Sequence, residues 1–99
     1  MDPAIVTAIA KFKAKSGQEA RLKNELQNLV APTRKEQGCM LFDWYQSADN
    51  EGVFFFFEKW TNRAALDKHL EAPHVKRFLG LLDALVENGI DASFWKQLA

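Results

Sequence analysis

The stretch Gly52-Val53-Phe54-Phe55-Phe56-Phe57-Glu58-Lys59-Trp60 does most to limit what this chain can fold into. A strand with one wet face alternates apolar and polar residues. Here Phe54 and Phe56 point one way and Phe55 and Phe57 the other, so both faces want a dry cover. Its aromatic content favours a strand over a buried helical segment. The run is far too short to span a bilayer as a helix. A chain of 99 residues is the size of one domain, taken here as residues 1–99. Its own helices can cover one face, and a second copy of the chain is the expected cover for the other.

The remaining totals exclude several classes. With 47% hydrophobic and 26% charged residues the chain is an ordinary globular one rather than a disordered one. Thirteen basic residues balance thirteen acidic ones, so neither a nucleic-acid nor an anionic-membrane partner is expected. Lys11, Lys13 and Lys15 form a basic run best explained as the solvated end of a strand, with phosphate binding as the rival reading. The lone Cys39 cannot form an internal disulfide and fits a reducing compartment. Met1-Asp2-Pro3 starts acidic and runs straight into a strand-like segment, unlike a signal peptide. No apolar stretch has membrane-spanning length, and a cytoplasmic protein is the expectation.

Ala4 to Phe12 is largely apolar at both parities and reads as a strand buried on two faces. Ser16-Gly17-Gln18-Glu19 has the form of a capping box, and Glu19 to Lys23 is a favourable pair. Leu22, Leu26, Leu29, Val30 and Thr33 then share a helical face, which predicts one amphipathic helix over about 17–36. Pro32 is expected to bend or interrupt it, and Gly38 to stop it. Cys39 to Gln46 is a strand, and the polar turn Ser47 to Gly52 returns the chain into the phenylalanine strand as an antiparallel hairpin. Thr61 is the expected cap of a helix starting near Asn62, with Leu66, His69 and Leu70 on one face. Pro73 breaks that helix. A second one starts near His74 with a stripe of Val75, Phe78, Leu79, Leu82, Leu85 and Val86, and ends at Asn88-Gly89. Ile90 to Leu98 is a closing strand.

Strand, helix, strand, strand, broken helix, strand is the order of the α+β ferredoxin-like arrangement, a four-stranded antiparallel sheet with helices on one face. The uncovered face would be a large apolar patch on a monomer. Pairing two sheets across a two-fold axis removes it, which predicts a homodimer with a barrel-like core.

Several short motifs lie along this frame in a specific order: Thr33-Arg34 with Glu36, Gly38 and Cys39; Phe57-Glu58-Lys59-Trp60; Leu66-Asp67-Lys68-His69; and Pro73-His74 with Phe78. Through them nearly the whole chain resembles the antibiotic biosynthesis monooxygenase family of dimeric α/β barrels, in particular its small quinol-monooxygenase-like members. The resemblance implies oxygenation of electron-rich quinols or polyphenols without flavin, haem or metal, hence no cofactor. It also implies a pocket between helices and sheet that takes an aromatic small molecule. The family's haem-degrading branch holds the porphyrin with an Asn on the first strand and a His in the last helix. Here the first strand offers Thr7 and the stripe near Phe78 and Leu79 has no His, which argues against haem.

The residues themselves carry no standard cofactor motif. His69 and His74 are five apart with Pro73 between them, so they do not share a helical face as a zinc pair would, and no metal site is expected. Cofactor-free oxygenation needs a base to take a phenolic proton and apolar walls to hold the ring. His69 is the candidate base, because a histidine can take a proton near neutral pH and this one sits on an apolar stripe. The alternative is a core histidine bonded to a neighbour. Trp60 is the second candidate catalytic residue, as a ring-positioning wall, or it is simply packing. Thr7, Phe42, Tyr45, Phe57, His74 and Phe78 are the candidate substrate-binding residues. Tyr45 fits a dimer interface equally well, and His74 a helix start. Arg34 and Glu36 are expected to form an ion pair or cap, with anion binding the rival for Arg34, and Cys39 to be a small buried residue. Beside the oxygenase stand two alternatives: a non-catalytic homodimeric small-molecule-binding protein, and an isomerase of a small metabolite. For a phosphorylated substrate the isomerase lacks an obvious cluster of phosphate donors.

Overall fold

The computed structural model describes residues 4–99, so the reading of Met1-Asp2-Pro3 lies outside the described residues. Its elements are β1 (Val6–Lys13), α1 (Glu19–Arg34), β2 (Cys39–Gln46), β3 (Val53–Trp60), α2 (Arg63–Glu71), α3 (Pro73–Leu79), α4 (Leu82–Leu85) and β4 (Asp91–Trp95). The four strands form one antiparallel sheet in the order β2-β3-β1-β4, the ferredoxin-like arrangement. Among the described residues no helix is long and apolar enough to cross a membrane.

Strand parity decides what each face carries. Pairing of Ala8 with Glu58, Ala10 with Phe56 and Phe12 with Phe54 puts these residues and Trp60 under the helices. Their strand neighbours Thr7, Ile9, Phe55 and Phe57 therefore occupy the opposite face. On the helix side Phe12, Phe42, Phe54 and Phe56 join Leu22, Leu26, Leu29 and Val30 of α1, Phe78 of α3 and Leu85 of α4 in one core. Phe42 stacks on Phe56 with centroids 4.4 Å apart, and Phe12 meets Phe78 edge-on at 5.6 Å. Small residues at Ala8 and Ala10 leave room above the sheet that larger ones would fill.

The helices differ from expectation at their ends. Gln18 occupies the N-cap of α1 and makes no side-chain cap bond, so the Ser16–Glu19 capping box is not formed. The helix runs on through Pro32 to Arg34. Asn62, not Thr61, caps α2: its side-chain oxygen accepts from the Ala65 amide at 2.9 Å. The predicted second helix is two short ones, interrupted at Gly80 and Leu81. Val86 instead bridges Ala14 beyond the end of β1. The closing strand stops at Trp95.

Candidate functional site

Between α2, α3 and the helix side of the sheet lies a cavity of about 210 Å³. Its walls are mainly apolar: Ala8, Ala10, Phe12, Phe42, Phe56, Leu66, Leu70, Val75, Phe78, Leu79, Ala92 and Phe94 contribute. At about 30 Å³ per liquid water it could hold some seven waters. A one- or two-ring aromatic is a comparable load. Three ionisable side chains reach it, namely Glu58, His69 and Arg63.

His69 comes from the last turn of α2, where helical spacing puts it beside Leu66 and Leu70. It is 6% exposed, with the Trp60 ring 4.6 Å away and Phe42 edge-on at 5.7 Å. Its Nδ1 lies 2.7 Å from Oε2 of Glu36. The same oxygen lies 3.0 Å from Nε2 of His74, which is also 3.1 Å from Thr33 Oγ1. A carboxylate oxygen only accepts, so this arrangement places a proton on Nδ1 of His69 and on Nε2 of His74. In neutral His69, Nε2 is then an acceptor with a free lone pair. No described residue bonds to it, yet no fully buried side-chain nitrogen or oxygen among the described residues lacks a partner. Such a nitrogen keeps some contact with open space, and His69 forms part of the cavity wall.

Glu58 is a buried acid. It too is 6% exposed, and its Oε1 accepts from the indole nitrogen of Trp60 at 2.8 Å. Burial pushes its carboxyl above the usual carboxylate range, and Glu36 adds to the rise; the Trp60 bond and His69 pull the other way. Cys39 is half-buried, and burial followed by the Glu36 and Glu58 charges pushes its thiol up. A raised thiol is a poor nucleophile at neutral pH.

The sequence-derived candidates divide by face. His69, Phe42 and Phe78 line the cavity. Trp60 is completely buried behind His69 and acts on the cavity only through it and Glu58. His74 sits in the shell behind His69, bonded to Glu36 and Thr33. Thr7, Tyr45 and Phe57 lie on the far face of the sheet and do not reach the cavity. Phe56 and Glu58, each one residue from Phe57, stand where Phe57 was expected. The expected Arg34–Glu36 pairing is absent from the described contacts: Arg34 donates to the Phe42 carbonyl at 3.0 Å and to Asp43 at 3.1 Å.

The two histidines do not share a helix, but Pro73 turns the chain so that both converge on Glu36. One ring nitrogen from each histidine and a Glu36 oxygen all lie within 4.8 Å of one another. Two imidazoles and a carboxylate are a donor set that a divalent ion can use.

The chain is thus an α+β domain with a ferredoxin-like sheet, an apolar cavity under its helices and a carboxylate-backed histidine in the cavity wall. Residues 5–80 match the family model for antibiotic biosynthesis monooxygenase. The chain belongs to that family. Among its relatives, the protein named "Putative monooxygenase Rv0793" of Mycobacterium tuberculosis is 39% identical over 69 residues, 70% of this chain and 67% of the relative. "Uncharacterized protein sll1783" of Synechocystis is 35% identical over 78 residues, 79% of this chain, and the match spans about half (52%) of that relative's length. The crystal structure of PA3566 from Pseudomonas aeruginosa superposes with a TM-score of 0.92 at 34% identity, covering 97% of this chain and 96% of that one. The structure of Rv0793 gives 0.89 at 30% identity, covering 96% of each.

Proposed function

We propose that this protein is a cofactor-independent monooxygenase that oxidises a quinol or polyphenol with molecular oxygen. Supporting this reading is the accessible Nε2 of His69, a residue of a cavity walled by aromatic and aliphatic groups, with Glu36 behind the ring. A phenolic hydroxyl donates to Nε2 and gives up its proton there. Glu36 steadies the imidazolium that results, as a carboxylate behind a catalytic histidine does. The phenolate is electron-rich and passes an electron to dioxygen. Combination of the pair forms a carbon–oxygen bond, and the peroxide then splits. One oxygen stays on the ring and the other leaves as water. The quinol itself supplies the two electrons and two protons that this requires. Apolar walls keep bulk water from the intermediates.

The test is oxygen uptake by metal-stripped protein with a panel of reduced quinols, measured against autoxidation. Catalysed uptake is expected, falling on the order of 10²- to 10⁴-fold in His69→Ala. Ligand binding without uptake in the wild type would sink the enzyme reading in favour of a binding protein.

For the partner, the reading is a homodimer built through the sheet face away from the helices. Tyr45 is 49% and Trp95 59% exposed there, and Tyr45 stacks on Phe55 at 4.9 Å. An apolar face of this kind favours a self-complementary contact.

A further inference from the structure

The chain has two histidines, and both meet the same carboxylate. Glu36 Oε2 lies 2.7 Å from His69 Nδ1 and 3.0 Å from His74 Nε2. The three donors come from separate pieces of chain: Glu36 from the turn after α1, His69 from the last turn of α2 and His74 from the first turn of α3. Backbone bonds fix that turn, with the Glu36 amide donating to the Thr33 carbonyl at 3.0 Å and the Cys39 amide to the Glu36 carbonyl at 3.1 Å. The side chains are 7% exposed at His69, 16% at Glu36 and 23% at His74, so the group is mostly dry and meets solvent chiefly at His74.

We infer that Glu36, His69 and His74 form a binding site for one divalent ion of the zinc class. A tetrahedral zinc with bonds of about 2.0–2.2 Å sets its donors about 3.3–3.5 Å apart. The 2.7 and 3.0 Å contacts fall short of that by roughly half an ångström, a gap that a small swing of the Glu36 side chain opens. Two ring nitrogens and one carboxylate suit zinc and its transition-metal neighbours, whereas magnesium and calcium call for shells of oxygen. Water completes the shell of a four-coordinate ion. A neutral imidazole that holds the ion through one nitrogen keeps its proton on the other. His69 bound through Nδ1 then carries its proton on Nε2 and has no lone pair left for a phenol. On the oxygenase reading above, and this consequence alone rests on it, the ion competes with the substrate proton for one ring and acts as an inhibitor.

The experiment is calorimetric titration of metal-stripped, untagged protein with zinc, repeated with cobalt(II), whose visible absorption intensifies on tetrahedral coordination. Wild type is expected to take one zinc per chain with a Kd of about 10 μM or tighter. His74→Ala and Glu36→Gln should each weaken zinc by about 100-fold or more, since loss of a mere outer-shell partner already costs about 10- to 100-fold, and should abolish the cobalt absorption. Glu36→Gln keeps a polar partner for the two rings, so it decides the comparison should His74→Ala not fold. Cys39→Ser should bind zinc as wild type does, which separates this site from a thiol on the neighbouring turn. Zinc that binds wild type more weakly than expected, binds either folded variant as tightly as wild type, or is lost in Cys39→Ser overturns the inference. Neither oxygen nor a phenol enters the titration, so its result stands apart from the fate of the oxygenase reading.

Discussion

Most of the chemistry in this protein comes from a few polar side chains held where water is scarce. Thr33, Glu58 and His69 are all buried beneath the helices, and each has a partner: His74, Trp60 and Glu36 respectively. A buried acid leaves a signature in stability. The carboxyl of Glu58 is raised by burial above its ordinary 4.5. Between the unfolded and folded values the native state therefore binds more protons than the unfolded one, and stability falls as pH rises through that window. Gln at this position does not titrate. The melting temperature of Glu58→Gln minus that of wild type should therefore move in the variant's favour between about pH 4 and about pH 8. A difference that stays constant over that range would mean Glu58 ionises as freely in the fold as outside it. Of these residues His69 was legible in the sequence, as a histidine on an apolar helical stripe. Glu36 was not, because its histidine partners lie 33 and 38 residues further on and no local period reports them. Glu58 did leave a trace: it is a carboxylate at the helix-facing parity, between Phe56 and Trp60. Acids rarely sit there without a task.

At the level of elements, the order of strands and helices follows from patterns that are local. The bounds of β2 and β3 were readable because polar turn residues separate two aromatic runs. What remained hidden was which parity of β3 met the helices, since phenylalanines occupy both. That ambiguity put Phe57, Tyr45 and Thr7 on the wrong side. Helix ends were also hard to read: Ser16 and Thr61 are good caps by type, but Gln18 and Asn62 hold those positions. Gly38 shows an element-scale constraint with a measurable cost. Its φ is +88°, and an added Cβ would lie 2.6 Å from Ala65 Cβ and 2.8 Å from Thr61 Oγ1. The start of α2 is thus packed directly on the turn into β2, which sets how α2 delivers His69 to Glu36. Gly17 has a similar φ of +84° with nothing within 4 Å, and so serves as the control. Urea denaturation should show Gly17→Ala losing about 1 kcal/mol and Gly38→Ala about 2–4 kcal/mol. Equal losses would mean that α2 gives way at no cost.

For the whole molecule, the sheet separates two surfaces of different character. The cavity lies on the helix side, while Leu41, Tyr45, Phe55 and Phe57 crowd the other, where Phe57 pairs with Asp43 on β2 and with Ile9 on β1. A charge placed at the middle of that face costs the helix-side core nothing, because alternate residues do not share a face. In the proposed dimer it would bury two unpaired carboxylates against apolar groups, which no interface of ordinary size tolerates. Wild type should sediment as a dimer at micromolar concentration and Phe57→Asp as a monomer. None of Tyr45, Phe55 and Phe57 lines the cavity, so the monomeric variant should still bind an aromatic ligand to within severalfold of wild type. A monomeric wild type would remove the dimer and leave the phenylalanine face without a cover. A variant that dissociates and loses the ligand together would mean instead that assembly holds the helices over the cavity.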